Sequence, residues 1–293
     1  MDVKPKLNRK VRILKHKKVP IWATIGAALS FTSANFKLLF LISLAGVAVQ
    51  AVSALIPSKG NLALGILSFI LGLASIFTSL WSNVAIVYAI SKLFNKKKTD
   101  FTDSFETSLS KILPYLLASV LLTFILLYST VLFIIPGLYF SVIYSLVLIA
   151  VIVEDEKKIS PFKMSAALVK GYFWTVVLYG LAALLLMIPV LLVCAVPVII
   201  ALSLTAGKSA EMLTNLGSNV LFIFVIYIVQ ALIMPYFQSI GYMIYAKLKE
   251  ARKGAPELAK AKLKPGEHGC LMAIGLIVLT VVLVIVVPLM FRG

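Results

Sequence analysis

Glu154, Asp155 and Glu156 form the densest acidic cluster in the chain. Carboxylates grouped in this way are what a hard divalent cation needs as oxygen ligands. Here Lys157 and Lys158 follow at once and no second acidic group stands nearby, so the cluster reads as a solvated turn neutralised by its own neighbours. The two histidines, His16 and His268, sit in basic tails, and the two cysteines, Cys194 and Cys270, fall in separate apolar segments with neither disulfide nor metal spacing. There is no Gly-rich phosphate loop, no G-x-S-x-G nucleophile motif and no H-E-x-x-H pair. These residues point away from an enzyme and imply no cofactor and no metal.

Polar residues inside the apolar stretches are Gln50, Asn83, Gln230 and Gln238, with scattered Ser, Thr and Tyr. Pro189, Pro197 and Pro235 interrupt backbone hydrogen bonding within such stretches. Freed carbonyls beside Pro189 and Pro235, together with Gln230 and Gln238, are what a path for a small neutral or amphipathic solute would be built from. The plainer assignment is interhelical hydrogen bonding for the amides and packing kinks for the prolines. None of the stretches carries an Asp, Glu, His, Lys or Arg in its interior, where ion-coupled transport and intramembrane catalysis usually place one.

The elements that must hold these residues follow from composition. The chain of 293 residues is 61% apolar and 13% charged, with a mean hydropathy of +1.05, where a soluble domain has about half and a quarter. Uncharged runs cover 38–58, 60–91, 112–153, 171–207, 212–246 and 268–291, each long enough for at least one span of about 20 residues. The expectation is an all-α polytopic bundle of seven spans, at 38–56, 62–91, 112–135, 138–153, 172–201, 218–246 and 271–290. Its organisation would be a basic tail over 1–20, a six-span domain over 21–246, a basic linker over 247–269 with Pro256 and Pro265, and an anchor over 270–293. Eight Lys or Arg in the first 18 residues, followed by a weakly apolar stretch, argue against a cleaved signal peptide.

The run 112–153 contains Pro136 and Gly137 in "VLFIIPGLYFSV", and one helix through it would be about 63 Å long against a hydrocarbon core of about 30 Å. Lys and Arg collect on the cytoplasmic side of a membrane. If the chain reverses at this pair, the 28 Lys and Arg divide 25 inside and 3 outside, the exceptions being Lys59, Lys208 and Arg292. If the pair is only a kink, the division is 16 and 12. A hairpin turn at Pro136 and Gly137 with a cytoplasmic N-terminus is therefore expected, and Pro followed by Gly suits a corner.

The same parity leaves residues 21–36 on the membrane surface, where Ile21, Ile25, Leu29, Thr32 and Phe36 form an amphipathic stripe beside Trp22. A theme then recurs: amphipathic helix, boundary lysine, hairpin of two spans, entered at Lys37, Lys111 and Lys170. In the second copy Asp103 and Glu106 fit a capping box, and Phe101, Phe105, Leu109 and Ile112 form a stripe. In the third, Ser160 as N-cap and Pro161 at the first position start a helix with Phe162, Ala166, Val169 and Phe173 as its stripe. Lys37, Lys111, Lys170 and Trp174 are the candidates for lipid-headgroup contact.

From Ile135 through Pro136, Gly137, Leu138 and Tyr139, then Glu154, Ser165, Lys170, Gly171, Phe173 and Trp174, the chain resembles the membrane-domain family of glycerophosphoryl diester phosphodiesterases, a broad group of multipass proteins. The resemblance covers about residues 21–246. It departs at Ile143, where the family often has Arg, and at Ala166, where it often has an aromatic. The resemblance implies a membrane domain that accompanies catalytic domains or stands free, and the phosphodiesterase domain itself is absent from this sequence. The net charge of +17 lies in strips beside spans, which suits anionic lipid rather than nucleic acid. The expected protein is a non-enzymatic scaffold or homeostasis protein of a prokaryotic plasma membrane contacting anionic headgroups. The alternative is a permease-like protein for a small neutral or amphipathic solute. Absence of N-x-S/T sites agrees with the prokaryotic setting. No protein partner or oligomeric state is legible.

Overall fold

The computed structural model describes residues 20–56, 62–132, 134–154, 159–203 and 220–253; side chains 62, 131–132, 187, 189–191, 193–203 and 220–222 lie outside the description. The expected spans at 271–290, the basic tail before Pro20, and the pair Asp155 and Glu156 fall outside these residues. The described chain is all α: α1 (Ile21–Ala34), α2 (Phe36–Ala54), α3 (Leu62–Phe94), α4 (Phe101–Leu132), α5 (Ile134–Ile143), α6 (Val147–Val153), α7 (Pro161–Val169), α8 (Phe173–Ser203) and α9 (Val220–Ala251). Among the described residues five helical stretches are long and apolar enough to cross a membrane, with α5 and α6 together forming one of them; α7 and α8, bent by 97°, make a sixth if taken as one span.

The chain reverses between α4 and α5. Lys111, where the uncharged run begins, donates from Nζ to the carbonyl of Glu154, where it ends (3.2 Å), so both ends of the hairpin lie at one level. Pro136 and Gly137 are not at the corner itself but in the first turn of α5. Pro is tolerated there because first-turn N–H groups have no intrahelical acceptor. Gly137 is buried, and a Cβ at that position would overlap the Thr130 hydroxyl and come within 2.9 Å of Thr130 Cα. The glycine thus lets α5 fold back tightly along α4, while the reversal is made just before it.

The short span expected at 138–153 is instead two helices with a break at residues 144–146. Ser165 of α7, fully buried, closes the break: its Oγ donates to Ile143 O (2.6 Å) and accepts from Leu146 N (3.3 Å). The inward side of the break, at buried Leu146, is tolerated because its free backbone groups find these partners.

Several local expectations shift. In the second unit α4 is continuous from Phe101, so the amphipathic segment is fused to its span. The helix is capped by Asp100, whose Oδ1 accepts from Asp103 N (2.8 Å), not by Asp103. The Asp103 carboxylate accepts instead from Lys92 Nζ and Thr99 Oγ1. The inward face of this segment is Ser104, Ser108, Ile112 and Tyr115, while Phe101 and Leu109 of the expected stripe are exposed. In α7 the buried face is Met164, Ser165, Leu168 and Val169, with Phe162 and Ala166 only half-buried. The physical reason is shared: beside lipid an apolar stripe has no need to face protein, and small polar residues turn inward where they hydrogen-bond. Ser108 does so with the Trp81 indole N–H of α3 (3.0 Å). Ser160 is the N-cap residue of α7 with Pro161 at its first position, without a side-chain cap bond.

The expected stripe of α1 is nearer the mark, with Ile25 and Thr32 buried and Ile21, Leu29 and Phe36 half-buried. This helix packs across α9, running from Tyr179 of α8, whose OH donates to Pro20 O (3.3 Å), to Phe36, whose ring meets Tyr236 of α9 at 6.5 Å.

Core burial is concentrated at one end. Residues 84–90 of α3, 146–152 of α6, 164–169 of α7 and 240–248 of α9 supply most of the fully buried side chains. None of the described side chains over 63–80 of α3 is buried. α2 and α3 approach closely at Gly46, where a Cβ would overlap Ser82, and Ser82 Oγ donates to Ile42 O (2.7 Å).

Candidate functional site

The packed end of the bundle is also the cationic end, and a chain of polar contacts joins the helix termini there. Lys92 at the end of α3 pairs with Asp103 at the start of α4 (2.9 Å). Lys111 of α4 reaches the carbonyl at the end of α6. The Glu154 carboxylate accepts from Tyr245 OH and from Lys249 Nζ, both of α9. Arg252, just past α9, donates from Nη1 to Lys170 O (2.5 Å), at the bend where Gly171 adopts a left-handed φ of 84° and the chain turns from α7 into α8.

Glu154 is the centre of this network. Its side chain is 11% exposed, against 46% for Lys249, so the carboxylate is held by the protein and the ammonium is shared with solvent. A nearly buried carboxylate needs such donors because desolvation without them costs several kcal/mol, about 1–3 per unmet bond at the least. The tie is therefore structural: it locks α6 and α9 at a common height. Among the described residues no group of three or more His, Cys, Asp or Glu side chains converges.

Around this locked centre the remaining cations point outward. Lys37, Lys96, Lys97, Lys98, Lys163, Lys170, Lys247 and Lys253 are exposed. Trp22 and Trp174 are 68% and 74% exposed, as indole rings at a membrane interface are. Of the four residues expected at headgroups, Lys37, Lys170 and Trp174 lie on this outer surface, whereas Lys111 is half-buried and directed at Glu154. Tyr245, Lys249 and Arg252 were not anticipated. The available signal was the pair Tyr245 and Lys249, four apart and on one helix face, opposite the acidic end of the preceding hairpin.

The expected solute path is not gathered into one site. Pro189 lies within α8, where its side chain is outside the description. Pro235 is buried inside an uninterrupted α9, and Gln230 is half-buried there. Gln238 donates to Asn83 Oδ1 of α3 (3.0 Å), and Asn83 donates to Ser79 O (2.9 Å), an interhelical amide clasp. Beyond that clasp, away from the cationic end, a cavity of about 400 Å³ opens between α2, α3 and α9, lined by Gln50, Ser53, Ser75, Ser79 and Tyr227 with three apolar side chains. Neither Gln230 nor Gln238 lines it. Gln50 with Ser53, and Ser75 with Ser79, stand at helical spacings of three and four, a signal visible in the sequence.

No family model, no curated protein and no solved structure matches the chain.

Proposed function

We propose that this integral membrane protein is non-enzymatic and acts as a scaffold whose cationic end binds anionic lipid headgroups, with that end on the cytoplasmic side of a prokaryotic plasma membrane. The supporting observation is the network through Asp103, Glu154 and Lys170 O: it draws the termini of α3, α4, α6, α7, α8 and α9 to one end of the bundle. Exposed lysines on these termini thereby share one surface with two exposed tryptophans. Each cation near an anionic surface contributes about 1 kcal/mol of attraction, which fades within a Debye length of about 8 Å at physiological salt. Glu154 is paired internally, and at this end the exposed lysines outnumber the exposed acidic residues Asp100, Glu106 and Glu250, so the field of the surface stays positive. The resemblance to the phosphodiesterase membrane-domain family agrees with a role as a companion domain and rests on the residues quoted for it.

The test is lipid retention. Full-length protein is extracted from mixed phosphatidylglycerol and phosphatidylcholine bilayers, and co-purifying lipid is quantified by mass spectrometry. Lys37→Glu with Lys97→Glu and Lys98→Glu reverses three exposed charges outside the Glu154 network, and is expected to remove the phosphatidylglycerol enrichment. Unchanged enrichment would refute the proposal.

A further inference from the structure

We infer that the cavity between α2, α3 and α9 is a binding site for an uncharged, hydrogen-bonding amphipath drawn from the leaflet remote from the cationic end. This site is separate from the headgroup surface and does not depend on it.

Depth comes first. Gln50 lies 13 residues beyond Lys37 along α2, and Ser79 lies 13 residues before Lys92 along α3. At 1.5 Å per residue each is about 20 Å from the cationic boundary, past the middle of a hydrocarbon core about 30 Å thick. The clasp of Asn83 and Gln238 separates the cavity from the dry core at residues 84–90. The site is therefore a pocket backed by the clasp on its cationic side.

Its chemistry is the second step. Ser75 Oγ donates to Gly72 O (2.7 Å) and keeps its lone pairs for an outside donor. The Gln50 amide and the hydroxyls of Ser53, Ser79 and Tyr227 make no side-chain hydrogen bond to any described residue. Polar groups at this depth are costly unless something completes their hydrogen bonds. A space of about 400 Å³ lies within the range of small-molecule pockets, about 300–1,000 Å³. Among the described residues no Asp, Glu, Lys, Arg or His lines it, so a carboxylate, phosphate or ammonium head would lose its hydration without gaining a counter-charge there. A hydroxyl, ester or amide head, by contrast, meets an amide and four hydroxyls able to donate and accept.

The tail is assigned from the adjoining surface. Ile66, Ile70 and Leu73 are exposed on α3 within three turns of Ser75, on the side away from Lys92. An alkyl chain laid there stays in hydrocarbon while its head enters the pocket.

The test uses full-length protein in nanodiscs and diazirine probes sharing one long alkyl chain, ending in an alcohol, a carboxylate or a methyl group, plus a short tailless diol. The alcohol is expected to label peptides containing Gln50 or Ser75 to Ser79 several-fold more than the other three. Gln50→Leu with Ser79→Val should reduce this to the methyl probe's level. Tyr227→Phe, which removes one hydroxyl and no bulk, should reduce it partly; both variants must retain the wild-type melting temperature to be scored. Equal labelling by the carboxylate or methyl probe, or labelling indifferent to Tyr227→Phe, overturns the assignment of polar recognition. Equal labelling by the tailless diol overturns the assignment to an amphipath, and no labelling of these peptides overturns the site.

Discussion

Replacing Glu154 separates what the network contributes from what its charges contribute. The carboxylate accepts two hydrogen bonds, but its partners are unequal: Tyr245 is 1% exposed as a whole residue, while the Lys249 side chain is 46% exposed. Glu154→Ala strands the Tyr245 hydroxyl without water, which costs about 1–3 kcal/mol in addition to the lost charge-assisted bond. Lys249 is rehydrated, so its share is only about 0.5 kcal/mol after solvent screening. The expected loss for Glu154→Ala is about 2–4 kcal/mol, near the upper end of ordinary single substitutions. Glu154→Gln keeps an acceptor for Tyr245 and should lose about half as much. Unfolding of the detergent-solubilised protein, followed by the fluorescence of its three tryptophans, measures these values. A double-mutant cycle of Glu154→Ala with Tyr245→Phe should give a coupling of about 1–2 kcal/mol, and the cycle with Lys249→Met less than about 0.5. A larger coupling to Lys249 than to Tyr245, or an Ala variant as stable as wild type, would refute the account of a buried polar tie.

Two further outcomes follow from the packing and the path of the chain. Gly46→Leu and Gly137→Val should each destabilise by about 1–3 kcal/mol or more in the same unfolding measurement, because the added Cβ meets Ser82 or Thr130 across a helix pair; Gly72→Ala, with open space around its Cβ position, should be neutral or stabilising. Reporters fused to the N-terminal tail and inserted after Lys158 should fall on the same side of the membrane, and opposite sides would overturn the reversal between α4 and α5.

How far these features were legible depends on what reads them out. Span positions follow from uncharged length, so α2, α3, α4, the pair α5 and α6, and α9 stand close to where composition places them. Helix faces did not follow, because the sequence shows which residues are apolar but not whether lipid or protein receives them. Leu109 and Ser108 are neighbours, and the membrane takes the leucine while Trp81 takes the serine. Corners were legible to within a few residues: Pro136 and Gly137 mark the hairpin, yet the glycine is there for close approach to Thr130 as much as for direction. The break at 144–146 carried no local signal at all, since neither Gly nor Pro occupies it and its partner, Ser165, arrives some twenty residues later. The Glu154 network was hidden for the same reason, because Tyr245 and Lys249 lie about ninety residues further on.

The uneven packing has a physical origin in where polar partners are available. At the cationic end every span begins or stops near a charge, and paired charges fix the relative heights of helices in a way that lipid-facing leucines cannot. Once α3, α4, α6 and α9 are level there, the small residues Ala85, Ala89 and Ala150 allow their axes to close, and full burial follows. Toward the other end the described helices carry no such ties, and α3 meets its neighbours through Ser75 and Ser79 around an unfilled space. Stability should therefore be graded along the bundle axis, with hydrogen exchange slowest at residues 84–90 and 240–248 and faster over 63–80. That gradient is what a ligand entering from the remote side requires: the half that must yield is the half held by the fewest directional bonds, and the half that anchors the fold does not have to move.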